Sequence, residues 1–436
     1  MKNAMRWKAA ALAIAALGTL GAAPDAVAQN EIFVPALVYR TGPYAPNGVP
    51  WADGFVDYLK LVNERDGGVN GIKIAIEECE TGYATDRGVE CYERLKSKKP
   101  VAISPLSTGI TYALTEKAPG DKVTLITAGY GRADSVEGAV FDWNFPMEGT
   151  YWDGADILIQ HVKKKGSLKG KKIALVYHDS PYGKEPIPVL EAHAKKEGFE
   201  LLKLPVTHPG VEQKATWLQI RQQKPDYVFL WGWGVMNSTA IKEAIAVGYP
   251  RLQMYGVWWA GAEPDVLPAE QAAKGYNALA LAHSAENDLP VHKDMAKFLY
   301  AKGKGTAAKK EEVGSVLYNR GLVAAVYTVE SIRKAQEKFG KRVVTGAEVR
   351  WGAENLNLDA ARIKALGVDG LMQPIKTSCQ DHGGVHKARI HTWDGSKWSY
   401  TSDMYEADQK FLRPMIEDSA KKYAGEKKID SECMKG

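Results

Sequence analysis

The sequence predicts an α/β fold with two doubly wound lobes, each a mostly parallel β-sheet covered by helices. Short β-branched runs, typical of buried strands, alternate with stretches that repeat apolar residues at helical spacing. This alternation occurs in two consecutive series, one on either side of residues 141–146. The chain has 436 residues, whereas one domain usually has about 100 to 200. Two lobes are therefore expected.

The first series predicts strands joined by right-handed helical connections, which is the pattern of a parallel sheet. Glycine-rich residues 66–71 end the first helix, because glycine favours the turn that follows. The predicted elements are a strand at 31–39, a turn-rich loop at 40–48, a helix at 51–65, a strand at 72–77, a helix at 85–98 and strands at 101–104 and 123–127.

The second series repeats this pattern and is followed by a helical part and a hairpin. Its predicted elements are helices at 151–164, 185–197, 213–223 and 237–247, and strands at 171–178, 199–206, 227–231, 253–257 and 276–283. Beyond them we expect helices at 290–302, 313–338, 345–352, 360–366 and 407–422, and a hairpin of residues 387–393 with 397–400.

Two neighbouring strands of the first series lead into small or hydroxyl-bearing residues. Residues 101–104 precede Ser107 and Thr108, and residues 123–127 precede Gly129. In an open parallel sheet, ligands bind outside the carboxyl ends of the strands, where helix N-termini offer unpaired N–H groups. These residues therefore predict a site for a carboxylate. The alternative is that Ser107 or Thr108 only caps a helix.

Charge and motifs exclude several classes of function. The formal net charge is only +5, from 57 basic and 52 acidic residues that are interspersed, so no nucleic-acid partner is expected. The sequence has no Gly-x-Ser-x-Gly elbow, His-Glu-x-x-His pair or phosphate loop, so we expect neither an enzyme nor a cofactor. His382 and His386 lie in a glycine-rich loop without further ligands, which argues against a zinc site.

Residues 1–28 have the pattern of a secretory signal peptide. A basic start precedes an apolar run at 9–20, and the small-x-small sequence at 26–28 ends it. The mature chain is expected to begin at Gln29, without a lipid anchor because no cysteine is near. The apolar run is too short to span a bilayer, so we expect an exported protein that is not embedded in the membrane.

Four cysteines fit an oxidising compartment and allow three disulfide pairings. The close spacing of the first two makes Cys79 with Cys91 and Cys379 with Cys433 the simplest choice. In this pairing the second bridge fastens the C-terminal tail to the body of the protein.

Ordered segments along the chain make it similar to one known family. They are Thr41-Gly42-Pro43 with Gly48, residues 63–71, the elbow from Ser107 to Thr111, residues 125–128, and residues 172–176 followed by Asp179 and Tyr182-Gly183. With these segments the chain resembles the type I periplasmic solute-binding proteins of ABC importers, in the branched-chain amino acid (Leu/Ile/Val) branch. The resemblance covers roughly residues 31–400.

The resemblance implies a type I periplasmic binding protein fold, with two doubly wound lobes joined by a three-crossover hinge. The crossovers fall near Phe145, Ala282 and Pro374. The implied parts are lobe 1 at 29–145 plus 283–373, lobe 2 at 146–282 plus 374–400, and a C-terminal helix and tail at 401–436. The family further implies a monomer that closes on a small-molecule ligand and delivers it to an inner-membrane ABC permease.

The family's ligand pocket falls on five residues of this chain. The loop after the first strand contributes Asn47, and the elbow contributes the hydroxyl of Thr108 for a ligand carboxylate. Gly129 offers main chain beside Tyr130, and Tyr182 matches a pocket tyrosine.

The chain departs from the family where an amino acid's ammonium is bound. The family's second threonine falls on Gly131, and no carboxylate precedes Glu263 in the segment that supplies the acid. Burying an ammonium without a counter-charge costs several kcal/mol. The departure therefore argues against an α-amino acid as the ligand.

Four tryptophans follow two neighbouring strands in place of the acid: Trp231, Trp233, Trp258 and Trp259. By alternation at most one of each pair faces the cleft, and we expect Trp233 and Trp258 to do so. Burying about 200 Å² of apolar ligand surface contributes about 5 kcal/mol, whereas micromolar affinity needs about 8 kcal/mol. A carboxylate bound at Thr108 can supply the difference.

Four further residues are candidates for contact with the ligand. Arg40, Arg132 and Arg320 each lie by a predicted element end and can pair with an anion, although most arginines are solvated surface residues. Tyr318 begins a later helix, where it either reaches the ligand or packs in the core.

The sequence thus predicts a binding protein that captures an aromatic or bulky hydrophobic carboxylate for an importer. The alternative is a branched-chain amino acid or amide receptor of the same fold, including a sensor.

Overall fold

The structure is a computed structural model that describes residues 30–282, 285 and 287–433. The signal peptide, the start at Gln29 and the lobe boundary at His283 lie outside the described residues. Within these residues, no helix is long and apolar enough to cross a membrane.

The first lobe is built on a parallel sheet. Its elements, in chain order, are β1 (Ile32–Val38), α1 (Ala45–Asp66), β2 (Ile74–Glu80), α2 (Thr85–Lys96), β3 (Ala102–Ile103), α3 (Thr108–Thr115), α4 (Ala118–Asp121), β4 (Thr124–Ile126) and β5 (Asn144–Phe145). Strand β1 pairs with β2, and β4 pairs with both β3 and β5. A parallel bridge between Ala36 and Ser104 joins the two groups of strands.

The second lobe follows directly. Its elements are α5 (Tyr151–Lys163), β6 (Lys172–His178), α6 (Pro181–Lys184), α7 (Ile187–Glu197), β7 (Glu200–Val206), α8 (Lys214–Gln223), β8 (Tyr227–Trp231), α9 (Val235–Ala246), β9 (Met254–Gly256), α10 (Glu263–Val266) and β10 (Asn277–Ala280). The strands are parallel in the order β10-β9-β8-β6-β7.

The remaining chain returns to both lobes. Its elements are α11 (Pro290–Phe298), α12 (Val316–Phe339), α13 (Gly346–Glu354), β11 (Asn357–Leu358), α14 (Ala360–Ala365), β12 (Ile375–Lys376), β13 (Lys387–Trp393), β14 (Trp398–Tyr400), β15 (Tyr405–Glu406) and α15 (Gln409–Lys427). Helices α11, α12 and α13 pack on the first lobe. Strand β13 pairs antiparallel with β10, β14 and β15 and so extends the second sheet. The predicted fold class of two α/β lobes is confirmed.

Helix α1 begins at Ala45, whereas the sequence predicted a loop through residue 48 and a helix from residue 51. Two prolines explain the difference. Pro46 lies in the first turn, where its missing N–H group would be unpaired in any residue. Pro50 lies inside the helix, a position that usually breaks one, and there it costs the helix one hydrogen bond. Asn47 therefore belongs to the first turn of α1 and is buried.

Two glycines allow α1 and α12 to pack with their backbones in contact. A Cβ atom on Gly54 would lie 1.9 Å from the carbonyl oxygen of Tyr318. One on Gly321 would lie 1.9 Å from the carbonyl oxygen of Trp51. Only glycine permits this approach, and it fixes the long buried helix α12 against the start of α1.

Both predicted disulfides are present. Cys79 of β2 is bonded to Cys91 of α2, and Cys379 is bonded to Cys433. The second bridge spans 54 residues and fastens the segment after α15 to the body of the protein.

Helix α15 contacts both lobes. At its start, the side-chain amide of Gln409 donates to Asp153 of the second lobe at 3.0 Å. At its end, Lys427 pairs with Glu116 of the first lobe at 2.7 Å. The helix therefore crosses from one lobe to the other.

Candidate functional site

A small cavity of about 20 Å³ lies between the lobes, at the carboxyl ends of their strands. Most of its side chains belong to residues that come shortly after a strand, which is where parallel sheets bind ligands. The lining residues are Tyr39, Tyr83, Leu106, Ser107, Thr108, Tyr130, Tyr151, Tyr182, Trp233 and Trp259.

The wall of the cavity is aromatic and uncharged. Seven of its ten side chains are tyrosine or tryptophan, and none of the ten described lining residues carries a formal charge. Burial raises the pKa of Tyr39, Tyr151 and Tyr182 well above the usual value, so these phenols are neutral at neutral pH. The cavity therefore offers flat apolar surface together with neutral hydroxyl groups.

Helix α3 begins at the cavity. The hydroxyl of Ser107 caps it by accepting the N–H of Ile110 at 3.3 Å, as the capping alternative expected. The hydroxyl of Thr108 lies 3.3 Å from that of Tyr151 and accepts the N–H of Gly131 at 3.3 Å. A helix N-terminus with hydroxyl groups beside it can bind a carboxylate without a cationic side chain.

Hydrogen bonds cross between the lobes inside the cavity wall. The indole N–H of Trp233 donates to the Tyr39 hydroxyl at 2.9 Å. Both Trp258 and Trp259 donate their indole N–H groups to the carbonyl oxygen of Gly129, at 2.7 and 2.8 Å. The cavity is therefore enclosed only when the two lobes are in contact.

Trp258 and Trp259 are arranged differently from what alternation along a strand predicted. Residues 258–260 form a 3₁₀ turn rather than an extended strand, so the side chains do not alternate as predicted. Trp259 lines the cavity. Trp258 lies behind the wall, where its ring stacks on that of Tyr151 at 5.9 Å. Trp231, by contrast, is buried outside the lining, as alternation with Trp233 predicted.

Three other candidates lie outside the lining, and each has a partner elsewhere. Asn47 donates to Asp265 at 3.0 Å, because its place in the first turn of α1 turns it toward the second lobe. The Gly129 carbonyl is used by the two indoles. The Tyr318 hydroxyl donates to Asp57 at 2.8 Å, which matches the alternative that this residue packs in the core of the first lobe. Thr108, Tyr130, Tyr182 and Trp233 do line the cavity.

Two of the candidate arginines are engaged in ion pairs. Arg40 bonds to Asp53 and Glu78, each at 2.7 Å. Arg132 pairs with Asp134 at 2.8 Å. Neither belongs to the cavity lining.

Arg320 lies behind the cavity wall. Its guanidinium is 5.2 Å from the ring centroid of Trp259, and it donates to the carbonyl oxygen of Trp258. Burial lowers the pKa of Arg320 to about 10, so the group stays protonated at neutral pH. It supports the tryptophan pair without lining the cavity.

A buried carboxyl group, Asp265, lies in the segment after the tryptophans. Its oxygens accept hydrogen bonds from the side chains of Asn47 and Asn237, at 3.0 and 2.9 Å, and from the N–H of Ala262 at 2.9 Å. Burial raises the pKa of Asp265 to about 6. This acid is outside the lining, and both of its oxygens are already hydrogen-bonded, with one bond crossing to Asn47 of the first lobe.

Sequence reasoning missed several residues of the wall: Tyr39, Tyr83, Leu106 and Tyr151. The signal was present for the first three, since they follow β1, β2 and β3. Ligands bind at the carboxyl ends of parallel strands. This rule predicts these three residues when it is applied to every strand and not only to the family's motif positions. Tyr151 begins α5 and follows no strand directly.

The described residues include no group of three or more His, Cys, Asp or Glu side chains arranged to hold a metal ion.

Two α/β lobes that enclose a cavity at their facing strand ends define a two-lobed ligand-binding protein. The family model described as periplasmic binding protein matches residues 31–397. The chain belongs to this family, and thereby to the solute-binding components of ABC transporters for small ligands. No curated protein matches the chain.

Solved structures share the fold over most of the chain. One described as an ABC transporter permease from the Pseudomonas fluorescens group is 44% identical, with a TM-score of 0.84 over 92% of this chain and 98% of that one. A fatty acid ABC transporter substrate-binding protein from Thermomonospora curvata is 21% identical, with a TM-score of 0.72 over 87% and 93%. A branched-chain amino acid ABC transporter protein from Thermus thermophilus with bound valine is 21% identical, with a TM-score of 0.75 over 88% and 99%.

Proposed function

We propose that the protein is the exported, periplasmic binding component of an ABC importer for an aromatic or bulky hydrophobic carboxylate. The observation that carries the proposal is the cavity wall, in which seven of ten side chains are aromatic and none of the described ten is charged. Such a wall stacks on an apolar ligand body and gains free energy from the surface it removes from water.

The carboxylate end of the ligand is assigned to the start of α3. Thr108 and Tyr151 offer hydroxyl groups there, and the first N–H groups of a helix have no partners within the helix. Hydrogen bonds to a charged group contribute about 1.5 to 3 kcal/mol each, enough to complete a micromolar affinity with the apolar contacts.

The lining disfavours an amino acid. An α-ammonium group in this cavity meets no carboxylate, and the nearby acid Asp265 already accepts three hydrogen bonds. Moving the α-ammonium group from water into the cavity costs free energy. Only its contacts with the faces of the aromatic rings would offset this cost.

Little free space remains between the lining side chains. It is about 20 Å³, whereas one water molecule needs about 10 to 15 Å³. A ligand can therefore enter only when the lobes and the aromatic side chains move apart.

The likeness to the Thermomonospora fatty acid protein and the Thermus protein with valine supports a ligand that carries a carboxylate. The proposed organisation is export directed by residues 1–28, lobe 1 at 29–145 plus 283–373, and lobe 2 at 146–282 plus 374–400. The three crossovers near Phe145, Ala282 and Pro374 form the hinge. The closed monomer then docks on the permease.

Matched ligand pairs test the proposal. We would measure thermal shifts of the mature protein with 4-methylpentanoate against leucine and with 3-phenylpropionate against phenylalanine. The members of each pair differ only in the α-ammonium group. Benzyl alcohol against benzoate tests the need for the carboxylate. A ligand at about 100 times its dissociation constant adds about 2.7 kcal/mol of stability, which is a measurable shift.

We expect stabilisation by the acids and none by the amino acids or the alcohol. Stabilisation by leucine but not 4-methylpentanoate would instead favour the branched-chain amino acid receptor. Stabilisation by neither class would reject a hydrophobic carboxylate as the ligand.

A further inference from the structure

A tyrosine of the first lobe lies between two histidines of the second lobe. The hydroxyl oxygen of Tyr44 is 2.8 Å from Nε2 of His178 and 2.5 Å from Nδ1 of His208. Tyr44 precedes α1, His178 ends β6 and His208 follows β7. This cluster therefore joins the lobes across the cleft.

The backbone next to Tyr44 also contacts the second lobe. The N–H of Val235, at the start of α9, donates to the carbonyl oxygen of Pro43 at 3.2 Å. Gly234 has a φ of +61°, and a Cβ atom there would lie 2.7 Å from the Tyr44 ring. The ring of Tyr44 in turn packs 4.4 Å from that of Tyr83, a residue of the cavity wall. The cluster thus sits beside the ligand site and forms only when the lobes meet.

The geometry requires at least one neutral histidine. A phenol has one proton, so the Tyr44 hydroxyl can donate to one ring nitrogen and must accept from the other. The centroids of the His178 and His208 rings are 3.8 Å apart. If both rings were protonated, both N–H groups would point at one oxygen and two positive charges would lie side by side.

We propose that Tyr44, His178 and His208 form a latch that holds the cleft closed at neutral pH and releases it on acidification. The inference rests on closure of the two lobes and not on the identity of the ligand. It assigns Tyr44 the role of a positioning residue, which acts on ligand retention through the histidines.

The other groups around the cluster do not account for the pH response that we assign to the two histidines. His178 faces the rings of Tyr83 and Tyr182, at 6.0 and 6.3 Å, and its Nδ1 lies 2.7 Å from the hydroxyl of Ser180. The only acid acting on both histidines among the described residues is Asp179, which is paired with Lys184 at 2.7 Å.

Burial, with the nearby His208 adding to it, lowers the pKa of His178 to about 3. Burial also lowers the pKa of His208, although part of this residue is exposed and accessible to solvent protons. The closed form thus favours neutral rings, whereas a fully solvated histidine titrates at about pH 6.5. The latch is complete above that pH and is lost as the pH falls below it. From pH 7.5 to 5.5, one such histidine shifts the equilibrium toward the open form by about tenfold.

Energy transfer between dyes on the two lobes tests the latch in the purified protein without added ligand. All described cysteines are in disulfides, so cysteines introduced at the exposed positions Asp86 and Glu212 can be labelled selectively. Transfer efficiency would be measured at pH 7.5 and 5.5 in four backgrounds: the unsubstituted protein, Tyr44→Phe, the double variant His178→Gln with His208→Gln, and His161→Gln.

His161 provides a matched control. It is a partly buried histidine that bonds to the Tyr405 hydroxyl at 3.0 Å, but both residues belong to the second lobe. Burial lowers the pKa of His161 to about 4 in the same way. Its substitution should therefore remove a similar titration without affecting closure.

We expect the efficiency to fall between pH 7.5 and 5.5 in the unsubstituted protein and in His161→Gln. It should be nearly constant in the double histidine variant, and Tyr44→Phe should be lower already at pH 7.5. An unsubstituted protein with the same efficiency at both pH values would overturn the latch. So would a double variant that still responds as the unsubstituted protein does.

Discussion

Trp233 of the second lobe donates its indole N–H to the hydroxyl of Tyr39 of the first lobe at 2.9 Å, and both side chains line the cavity. One hydrogen bond thus belongs both to the cavity wall and to the contact between lobes. We therefore expect ligand affinity and closure to be coupled through it.

Removing this bond from either side should weaken ligand binding by the same amount. Trp233→Phe and Tyr39→Phe each keep a ring and lose the bond, which contributes about 1 kcal/mol, so affinity for the best-bound acid should fall about fivefold. In the double variant the loss should be no larger. Isothermal titration calorimetry of the four proteins completes the cycle, and two losses that simply add would show that the residues act independently.

Thr108→Ala should reduce affinity for a carboxylate ligand by about ten- to a hundredfold, because it removes a hydrogen bond to a charged group. Thr108→Ser keeps the hydroxyl and should lose much less. Titration calorimetry gives the affinities, and circular dichroism checks that both variants fold. If Thr108→Ala binds as well as the unsubstituted protein, the carboxylate lies elsewhere in the cavity.

Glu185 should give the protein a pH-dependent stability. It accepts hydrogen bonds from the Tyr112 hydroxyl and from the N–H of Ala133 at 3.1 Å, and burial, followed by the charge of Asp134, raises its pKa from 4.5 to about 8. The folded protein therefore holds a proton that the unfolded chain releases above pH 4.5. This contribution is complete below pH 4.5 and is lost as the pH rises through about 8.

Glu185→Gln cannot ionise, so its stability relative to the unsubstituted protein should rise between pH 5 and pH 8. The slope is at most about 1.4 kcal/mol per pH unit. Urea unfolding at three pH values measures it. Glu191→Gln, an exposed partner of Lys203, is the control and should show a flat difference. A flat difference for Glu185→Gln as well would contradict the raised pKa.

Two glycine substitutions should change stability in opposite directions. Gly321→Ala places a Cβ atom 1.9 Å from the Trp51 carbonyl oxygen, and overpacking of this kind costs about 1 to 3 kcal/mol or more. Gly425→Ala in α15 meets nothing within 4 Å and should stabilise by up to about 1 kcal/mol, because alanine favours helix. Chemical denaturation compares them. If the two substitutions changed stability by the same amount, the backbones of α1 and α12 would be packed less closely than the structure shows.

Periodicity predicted most of the fold because buried strands and amphipathic helices leave a clear pattern in sequence. It failed at the start of α1, where Pro46 and Pro50 suggested a loop. Pro46 lies in the first turn, which tolerates proline, and Pro50 lies inside the helix, which continues through it. Periodicity also predicted a strand at 253–257 that leads straight into the tryptophans. The strand is present at Met254–Gly256, but the chain forms a 3₁₀ turn from Trp258. The local pattern cannot report such a turn, because tertiary contacts with Gly129 stabilise it.

Part of the cavity lining follows from the sequence. Strand-end reasoning placed Thr108 and Trp233 at the cleft, the family resemblance added Tyr130 and Tyr182, and all four line the cavity. Neither could separate Asn47, which bonds to Asp265 across the cleft, from a residue that lines the cavity. That distinction depends on how the two lobes face each other, which no single segment of sequence encodes.

The attachment of α15 to both lobes restricts the geometry of opening. Its 19 residues form a rod of about 28 Å at 1.5 Å per residue, and the rod cannot lengthen without losing backbone hydrogen bonds. Phe411 near one end lies 4.3 Å from His193, and Tyr423 near the other lies 4.8 Å from Phe141. While both ends stay attached, the distance between these two points is constant. The two lobes can then rotate about the axis of α15 more freely than they can move apart along that axis.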